Sequence, residues 1–223
     1  FAHATIYGKH GLRKQIEILS PGFFDLKTGY TSGSCATAAV KAALTALLSG
    51  IPVEDITISL PNDEPVTIDI VRTVFEPNGS VTCTVLKDAG DDPDITNGAE
   101  ICANIAINST HGGIRFLQGI GVGKVTLPGL GLEIGGPAIN ATPRKMIERE
   151  AQKTLEKLSD DLHTGIDITI SVPRGEEIAK RTFNPKLGIV GGISIIGTSG
   201  IVKPYSNEAF VNSIHREAKV AKA

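Results

Sequence analysis

Residues 29–44 read GYTSGSCATAAVKAAL, and this stretch decides how the first half of the chain folds. From Ser34 to about Ser49, small and apolar residues recur at spacings of three and four, which is typical of a helix with one closely packed face. Gly50, with Pro52 beyond it, predicts the end of that helix. The small and apolar positions are Cys35, Ala38, Ala39, Ala42, Ala43, Ala46 and Leu47.

Beyond this helix, apolar residues alternate with a period of two, which is typical of half-buried strands. The runs DITISL, PVTIDIVRTVF and SVTCTVLKD follow one another, and the turn EPNGS predicts that the last two form a hairpin. AEICANIAI and GIRFLQG, joined by NSTHGG, predict a second hairpin. GKVTL predicts a further short strand.

The second half of the chain mixes helices with strands. Thr142 as N-cap and Pro143 at the first helical position predict a helix. IDITISV predicts a strand, GEEIAKRTF a short helix closed by Asn184-Pro185, and GGISIIG a buried strand, and a last helix is expected to begin near Ser206. This order predicts an α+β fold rather than a strict βαβ alternation. The apolar stripe of the helix after Thr142 is Met146, Ile147, Ala151, Leu155 and Leu158.

The composition narrows the class of protein. The chain has 223 residues, 41% hydrophobic and 21% charged, which suits a soluble globular core. A net charge of −2 gives no electrostatic basis for binding nucleic acid or an anionic membrane. Three cysteines without CxxC spacing predict neither a disulfide framework nor a zinc site, and they favour the cytoplasm. A start at Phe1 and an end inside a helical pattern suggest a fragment of a longer protein.

The junction TSGSCAT is the first candidate site. Thr31, Ser32, Gly33 and Ser34 place hydroxyls and free backbone N–H groups at a helix start, where the helix dipole also favours an anion. The alternative is an ordinary helix cap, because serine and threonine are common N-caps. The residues alone leave both interpretations open.

The segment KDAGDDPDITNG is the second candidate site. It holds Asp88, Asp91, Asp92 and Asp94 in a loop after a predicted strand, and such carboxylates could bind a cation or ribose hydroxyls. The spacing does not fit a calcium-binding EF-hand loop. The alternative is a solvated turn, because Asp, Gly, Pro and Asn are turn residues.

Several further segments are weaker candidates. GIGVGKVTLPGLG does not match a phosphate-binding P-loop, although Lys124 could meet an anion. Arg144 lies in the first turn of a predicted helix, where the helix dipole makes a cation slightly unfavourable. Its position there hints at an anionic partner. His111 lies in a predicted turn with no second histidine nearby, and such a histidine is more often structural than catalytic. GISIIGTSGIVKPYS runs out of a predicted strand into Gly197, Thr198, Ser199 and Gly200, whose small side chains leave backbone amides open to a ligand.

Four segments taken together resemble one family. GYTSGSCATAAVKAA, KDAGDDPDITNGAEI, GVGKVTLPGLGLEIGGPAIN followed by PRKMI, and GGISIIGTSGIVKPYSNEAF stand in this order from about Gly29 to Phe210. They resemble the cobalt-precorrin-5B C(1)-methyltransferase (CbiD) family of anaerobic cobalamin biosynthesis. The resemblance implies methyl transfer from S-adenosylmethionine to C-1 of a cobalt-containing tetrapyrrole, giving cobalt-precorrin-6A. A small-molecule kinase of related fold and a non-catalytic tetrapyrrole-binding protein are the alternatives.

The resemblance also implies an architecture. It implies a first lobe similar to a permuted ribosomal-protein-S5 domain-2-like fold, followed by an α/β lobe that is largely missing here. The change from a strand-rich pattern to a Gly/Ser/Pro loop and an amphipathic helix predicts that the first lobe spans residues 21–196, and that residues 197–223 are a linker and the first helix of the second lobe. Residues 1–20 would be an N-terminal arm or leader. The expected partner is the tetrapyrrole, with no nucleic acid, membrane or metal site of the protein's own, and a homo-oligomer is possible.

The chemistry implied by the resemblance assigns roles to the candidate residues. The tetrapyrrole carries many carboxylates, so we expect it to be bound by Thr31, Ser32, Gly33, Ser34 and Arg144. For the methyl donor we expect Asp88, Asp91, Asp92, Gly197, Thr198 and Ser199. Methyl transfer depends mainly on placing the two reactants in line, so no catalytic triad is required and no catalytic residue is predicted.

Overall fold

The structure is a computed structural model that describes residues 4–7, 13–16, 26–159 and 165–222. Much of the predicted N-terminal arm, residues 1–20, lies outside these ranges, and so do residues 21–25 and 160–164 of the predicted main lobe. Within the described ranges no helix is both long enough and apolar enough to cross a membrane. In the same ranges, no three His, Cys, Asp or Glu side chains gather into a group that could hold a metal ion.

Fifteen strands are present in the described part of the chain, most of them short. In chain order they are β1 Ala4–Tyr7, β2 Arg13–Ile16, β3 Gly29–Tyr30, β4 Asp55–Ser59, β5 Pro65–Asp69, β6 Arg72–Phe75, β7 Val81–Leu86, β8 Glu100–Asn108, β9 Ile114–Gln118, β10 Gly121–Val122, β11 Lys124–Val125, β12 Gly165–Ser171, β13 Ile189–Val190, β14 Gly192–Ile193 and β15 Ile201–Val202.

The helices confirm the predicted order of elements. They are α1 Ser32–Ser49, α2 Ala141–Leu158, α3 Gly175–Ala179 and α4 Asn207–Lys222, with a 3-10 helix at Asn184–Leu187. Strands cluster between α1 and α2, and a mixture of helices and strands follows. The fold is therefore α+β, as predicted.

A five-stranded sheet in the order β6-β7-β8-β12-β9 forms the centre of the molecule. The turn between β6 and β7 confirms the first predicted hairpin. The second predicted hairpin is wrong: β12 lies between β8 and β9, antiparallel to β8 and parallel to β9. The isoleucines of β12, Ile166, Ile168 and Ile170, are at most 1% exposed, and pairing on both sides gives the backbone of this buried strand its hydrogen-bond partners. PVTIDIVRTVF also divides into two strands, because β5 pairs with β4 rather than continuing into β6.

Helices α1 and α2 cover one face of this sheet. Gly33 meets Pro143 at their first turns, and Lys41 meets Glu150 two turns later, so the two helices run parallel to each other. The prediction of a single packed face on α1 is too narrow, because Ala36, Val40 and Leu44 are also fully buried. The helix is enclosed by the sheet, α2 and the β4–β5 pair.

Both long helices begin slightly earlier than predicted. Helix α1 begins at Ser32 because Thr31 is the N-cap, and its side chain accepts a hydrogen bond from the Ser34 amide. Helix α2 has Asn140 as N-cap, so Thr142 is not the cap and Pro143 is the third helical residue. Gly50 ends α1 with a left-handed φ of 72°, as predicted. Four residues of the predicted α2 stripe are buried, whereas Leu158 is exposed.

The last predicted strand is shorter than its apolar run. Within GGISIIG only Gly192–Ile193 forms a strand, β14, and Ile195 makes an isolated bridge to Ile139. Strand β15 then pairs antiparallel with β3, so residues 201–202 return to the start of α1. Helix α4 begins directly after Ser206, as predicted. The division of the chain at residue 197 stays a prediction.

Candidate active site at the start of two parallel helices

Four chain segments converge at the N-terminus of α1, and they are the segments that the sequence singled out. The Tyr30 amide donates to the Asp88 carbonyl at 2.7 Å, and the Gly33 amide donates to the Ile196 carbonyl at 2.8 Å. The Asn140 amide donates to the Ile195 carbonyl at 3.0 Å. The residues preceding α1, the acidic loop, the start of α2 and the segment after β14 therefore form one structural unit.

The hydroxyls of TSGSCAT all have partners inside the protein. Ser34 Oγ donates to the Gly200 carbonyl at 2.7 Å, and Ser32 Oγ accepts from the Ile196 amide at 3.0 Å. Thr31 Oγ1 accepts from the Ser34 amide at 3.2 Å. Ser32 and Ser34 are buried. The structure thus supports the cap interpretation for these hydroxyls, and binding of an anion by Thr31–Ser34 stays a prediction.

The close fit at this junction explains two of its glycines. A Cβ added to Gly33 would lie 2.7 Å from Pro143 Cγ and 3.0 Å from the Ile196 carbonyl oxygen. Gly197 has a φ of 146°, and a Cβ there would lie 2.2 Å from Thr31 Oγ1. Glycine is therefore required at both positions for α1, α2 and the segment after β14 to approach so closely.

The acidic loop, defined as residues 88–98, is tied to its surroundings by its carboxylates. Asp88 pairs with Lys27 and accepts from the Gly90 amide, and these contacts hold the pKa of the Asp88 carboxyl below its ordinary value of 3.8, with the Lys27 hydrogen bond the largest cause. Asp91 accepts from the Lys27 amide at 2.7 Å, and Asp92 accepts from the Tyr205 amide at 3.3 Å. These side chains are at the surface and keep free lone pairs for a ligand.

The fourth carboxylate of the acidic loop has a different role. Asp94 Oδ2 accepts from Lys87 Nζ at 2.8 Å, and Asp94 Oδ1 accepts from the amide and hydroxyl of Thr96. The Lys87 side chain is only 1% exposed, and it is the largest fully buried side chain in the part of the chain that the structure describes. This ion pair anchors the acidic loop to the sheet. The sequence did not predict it, because a lysine is normally exposed.

A cavity of about 230 Å³ opens at the N-terminus of α2. Two of the predicted donor-binding residues, Gly197 and Thr198, line it, and Lys219 of α4 is also part of the lining. Ser199 is not part of the lining, and its hydroxyl donates to the Ile201 carbonyl at 2.9 Å. The N-terminus of α2 makes the cavity suitable for an anionic group. The complete lining is Gly129, Leu130, Gly131, Leu132, Asn140, Ala141, Thr142, Pro143, Gly197, Thr198 and Lys219.

Arg144 lies next to the cavity but turns away from it. Its guanidinium donates to the carbonyls of Ile139 at 2.9 Å and Pro137 at 3.3 Å, and it stacks 4.7 Å from the centre of the Phe116 ring. Burial lowers the pKa of the Arg144 guanidinium below its ordinary value. The structure gives this arginine a fastening role, and its predicted contact with substrate stays a prediction.

The remaining candidates lie elsewhere or are engaged otherwise. Lys124 is exposed, outside the cavity lining. His111 lies beyond the far end of β8 from the acidic loop, where its Nε2 is 3.0 Å from Asp167. The sequence missed Lys219 and the loop Gly129–Leu132 as cavity residues. Its clustered glycines were a signal for that loop, and only the folded chain brings Lys219 to it.

These features define a mixed α+β protein in which two parallel helices begin side by side, with a small cavity at the start of α2. A model of the CbiD family matches residues 21–204, and the chain belongs to this family. It is 48% identical over 200 residues to a cobalt-precorrin-5B C(1)-methyltransferase of Prosthecochloris aestuarii, covering 89% of this chain and 53% of the relative. The enzyme of the same name from Geobacillus kaustophilus is 50% identical over 198 residues, covering 89% and 52%.

A solved structure gives the same assignment. The crystal structure of the cobalamin biosynthesis protein CbiD from Archaeoglobus fulgidus matches with a TM-score of 0.62 and 30% sequence identity, covering 86% of this chain and 59% of that chain. The chain therefore spans about half the length of the curated relatives it matches.

Proposed function

We propose that this chain forms part of an enzyme that methylates C-1 of cobalt-precorrin-5B, giving cobalt-precorrin-6A in cobalamin biosynthesis, with S-adenosylmethionine as methyl donor. The observation that carries the proposal is 46–50% identity, over about nine tenths of this chain, to curated proteins named for that reaction. When bound, the donor would supply an electrophilic methyl group on a sulfonium: the ring carbon gives the electron pair of the new bond, and the sulfur–methyl bond breaks with its electron pair left on the sulfur of S-adenosylhomocysteine.

The cavity at α2 suits one part of the methyl donor. Its volume of about 230 Å³ lies below the roughly 300–1,000 Å³ of sites that enclose a whole drug-sized ligand, so it fits a group rather than a complete cofactor. The N-terminus of α2 favours a carboxylate, and the donor carries one on its methionine half. We assign that carboxylate to Gly197 and Thr198, with Ser199 in the adjoining turn.

The acidic loop suits the cationic and hydroxyl-bearing parts of the same donor. Asp88, Asp91 and Asp92 are at the surface, and each retains lone pairs beyond those used by Lys27, Gly90 and Tyr205. We assign ribose hydroxyls or the sulfonium to these carboxylates. We propose that residues 31–34, at the N-terminus of α1, and Arg144 bind carboxylates of the tetrapyrrole.

The finer architecture belongs to the same proposal. Residues 21–196 would form a lobe similar to the permuted ribosomal-protein-S5 domain-2-like fold, and residues 197–223 a linker with the first helix of an α/β lobe. We propose the cytoplasm as location and the cobalt-containing tetrapyrrole as the partner, with neither nucleic acid nor membrane as partners.

A chimera tests the proposed activity without depending on the length of this chain. The 198 matched residues of the Geobacillus kaustophilus relative are replaced by the corresponding residues of this chain, and donor labelled in its methyl group is added with cobalt-precorrin-5B. We expect label in the ring, at a rate within about tenfold of the unmodified relative. A folded chimera that binds the tetrapyrrole without transferring label would favour the carrier alternative, and phosphate transfer from labelled ATP would favour the kinase.

A further inference from the structure

Tyr205 stands in a backbone conformation that its residue type disfavours. Its φ is +54°, in the left-handed region, and it directly follows Pro204 in a turn. After a proline, a turn position with positive φ normally holds glycine or asparagine, because a larger side chain crowds the backbone. The only other described residue that is not glycine and has a positive φ is Asp63, and aspartate tolerates this region.

Burial does not compensate for this strain. Tyr205 is 68% exposed, against 56% for Phe183 and 47% for Phe75. The hydrogen bond that fixes the turn comes from the backbone, since the Tyr205 amide donates to Asp92 Oδ1 at 3.3 Å. A glycine at this position would keep that hydrogen bond. The fold therefore gains little from the ring, and unfavourable backbone geometry of this kind is characteristic of functional sites.

The position of Tyr205 suggests what the ring does. Three residues earlier in the chain, β15 ends its pairing with β3, which leads into α1. Through Asp92, the same turn is fastened to the acidic loop. Tyr205 therefore lies beside the segments to which the proposed function assigns the methyl donor and the tetrapyrrole, and both of these molecules contain a flat π system.

We propose that the Tyr205 ring contacts a planar group of the ligand, and that the strained turn is retained in order to present it. The inference rests on the proposed function. Stacking on an aromatic side chain is a general means of binding flat heterocycles, and an exposed ring makes this contact at low cost in conformational entropy. Two planar groups share this chemistry: the adenine of the donor and the tetrapyrrole macrocycle.

The test separates stability from binding with two variants of the complete 223-residue chain. Tyr205→Gly relieves the strain, and we expect its thermal midpoint to rise by about 2–4 °C. We expect the same variant to bind one planar probe about tenfold more weakly, which is the scale of one lost stacking contact. Tyr205→Phe keeps the ring and should bind within twofold of wild type.

Calorimetry with two probes identifies the group that is stacked. S-adenosylhomocysteine reports the adenine, and cobalt-precorrin-5B reports the macrocycle. Phe75→Ala is the matched control, because it removes an exposed ring at the end of β6, whereas the acidic loop follows the opposite end of the neighbouring strand β7. We expect this control to bind both probes as wild type does.

Three results would overturn the inference, and they are distinguishable. If Tyr205→Gly binds both probes as tightly as wild type does, the ring makes no contact with either ligand, while the proposed function is unaffected. A lowered thermal midpoint of Tyr205→Gly shows that the ring stabilises the fold after all. If the wild-type protein binds neither probe, the assignment of these ligands to this chain is wrong, and so is the proposed contact of the Tyr205 ring with them.

Discussion

At the scale of single residues, the Lys87–Asp94 pair is the least expected feature of this chain. Lys87 is 1% exposed and Asp94 25% exposed at the side chain, so the two partners differ in their access to water. Asp94→Asn strands a charged ammonium in the interior, which costs about 3–5 kcal/mol. Lys87→Met leaves a carboxylate that can hydrate and still accepts from Thr96, so we expect a smaller loss of about 1–3 kcal/mol. Urea unfolding measures both.

The double variant Lys87→Met/Asp94→Asn completes this test. It removes both charges together, so its loss of stability should be smaller than that of Asp94→Asn alone. If Lys87→Met proved the more destabilising of the single changes, the ammonium would have favourable contacts beyond Asp94, and the assignment of this pair as the anchor of the acidic loop would be wrong.

Individual side chains were also where prediction from sequence was weakest. The sequence placed Thr31 at a helix start. Its role as N-cap of α1, accepting a hydrogen bond from the Ser34 amide, depends on backbone geometry that the sequence does not specify. Arg144 was predicted to meet an anion, yet its guanidinium is held by backbone carbonyls and the Phe116 ring. Such partners come from distant parts of the chain, so periodicity and spacing do not identify them.

At the scale of elements, one carboxylate fastens three neighbouring strands together. Asp167 on β12 accepts from Asn108 at the end of β8, from His111 in the following turn, and from Arg115 on β9 by two hydrogen bonds. The predicted β8–β9 hairpin was wrong because its turn residues are a local signal, whereas β12 enters the sheet from more than 50 residues away. The alternation within each strand was predictable, but the strand order was not.

The same cluster makes the sheet sensitive to acid. Hydrogen bonding to Arg115, with further support from Asn108 and His111, lowers the pKa of Asp167 from 3.8 to about 2. Because the pKa is lower in the folded state, the stabilisation is complete above about pH 4 and is lost as the pH falls toward 2. We expect Asp167→Asn to unfold more easily at pH 7 and to lose less stability than wild type between pH 4 and pH 2. Chemical denaturation across this range measures the difference.

Glu54→Gln provides the control for this prediction, because Glu54 is exposed just before β4 and its backbone carbonyl, rather than its carboxylate, accepts from Ile70. We expect this variant to follow wild type at every pH. An acid profile of Asp167→Asn parallel to that of wild type would mean that other carboxylates, such as Asp94 or Glu150, dominate the loss of stability in acid.

At the scale of the whole molecule, the parallel arrangement of α1 and α2 places two helix N-termini side by side. Parallel helix dipoles repel each other, and the arrangement is stabilised by specific contacts, among them Lys41 with the buried carboxylate of Glu150 at 2.7 Å. The first turns of both helices then receive the segment after β14. The proposed ligand site and this close packing therefore occupy the same region, so a change in one is expected to affect the other.

Gly33→Ala tests that packing through the sign of its effect. Within an isolated helix, replacing glycine by alanine stabilises by roughly 0.5–1 kcal/mol. Here the added Cβ would lie 2.7 Å from Pro143 Cγ and 3.0 Å from the Ile196 carbonyl oxygen, so either α2 or the segment after β14 must move. Overpacking of this kind costs about 1–3 kcal/mol, and we expect a net loss of stability on urea unfolding.

Gly136→Ala is the matched control, since its added Cβ would have no neighbour nearer than 3.3 Å. We expect this variant to change stability little. A Gly33→Ala protein as stable as wild type, or more stable, would show that the two helices are not held together as closely as these distances require.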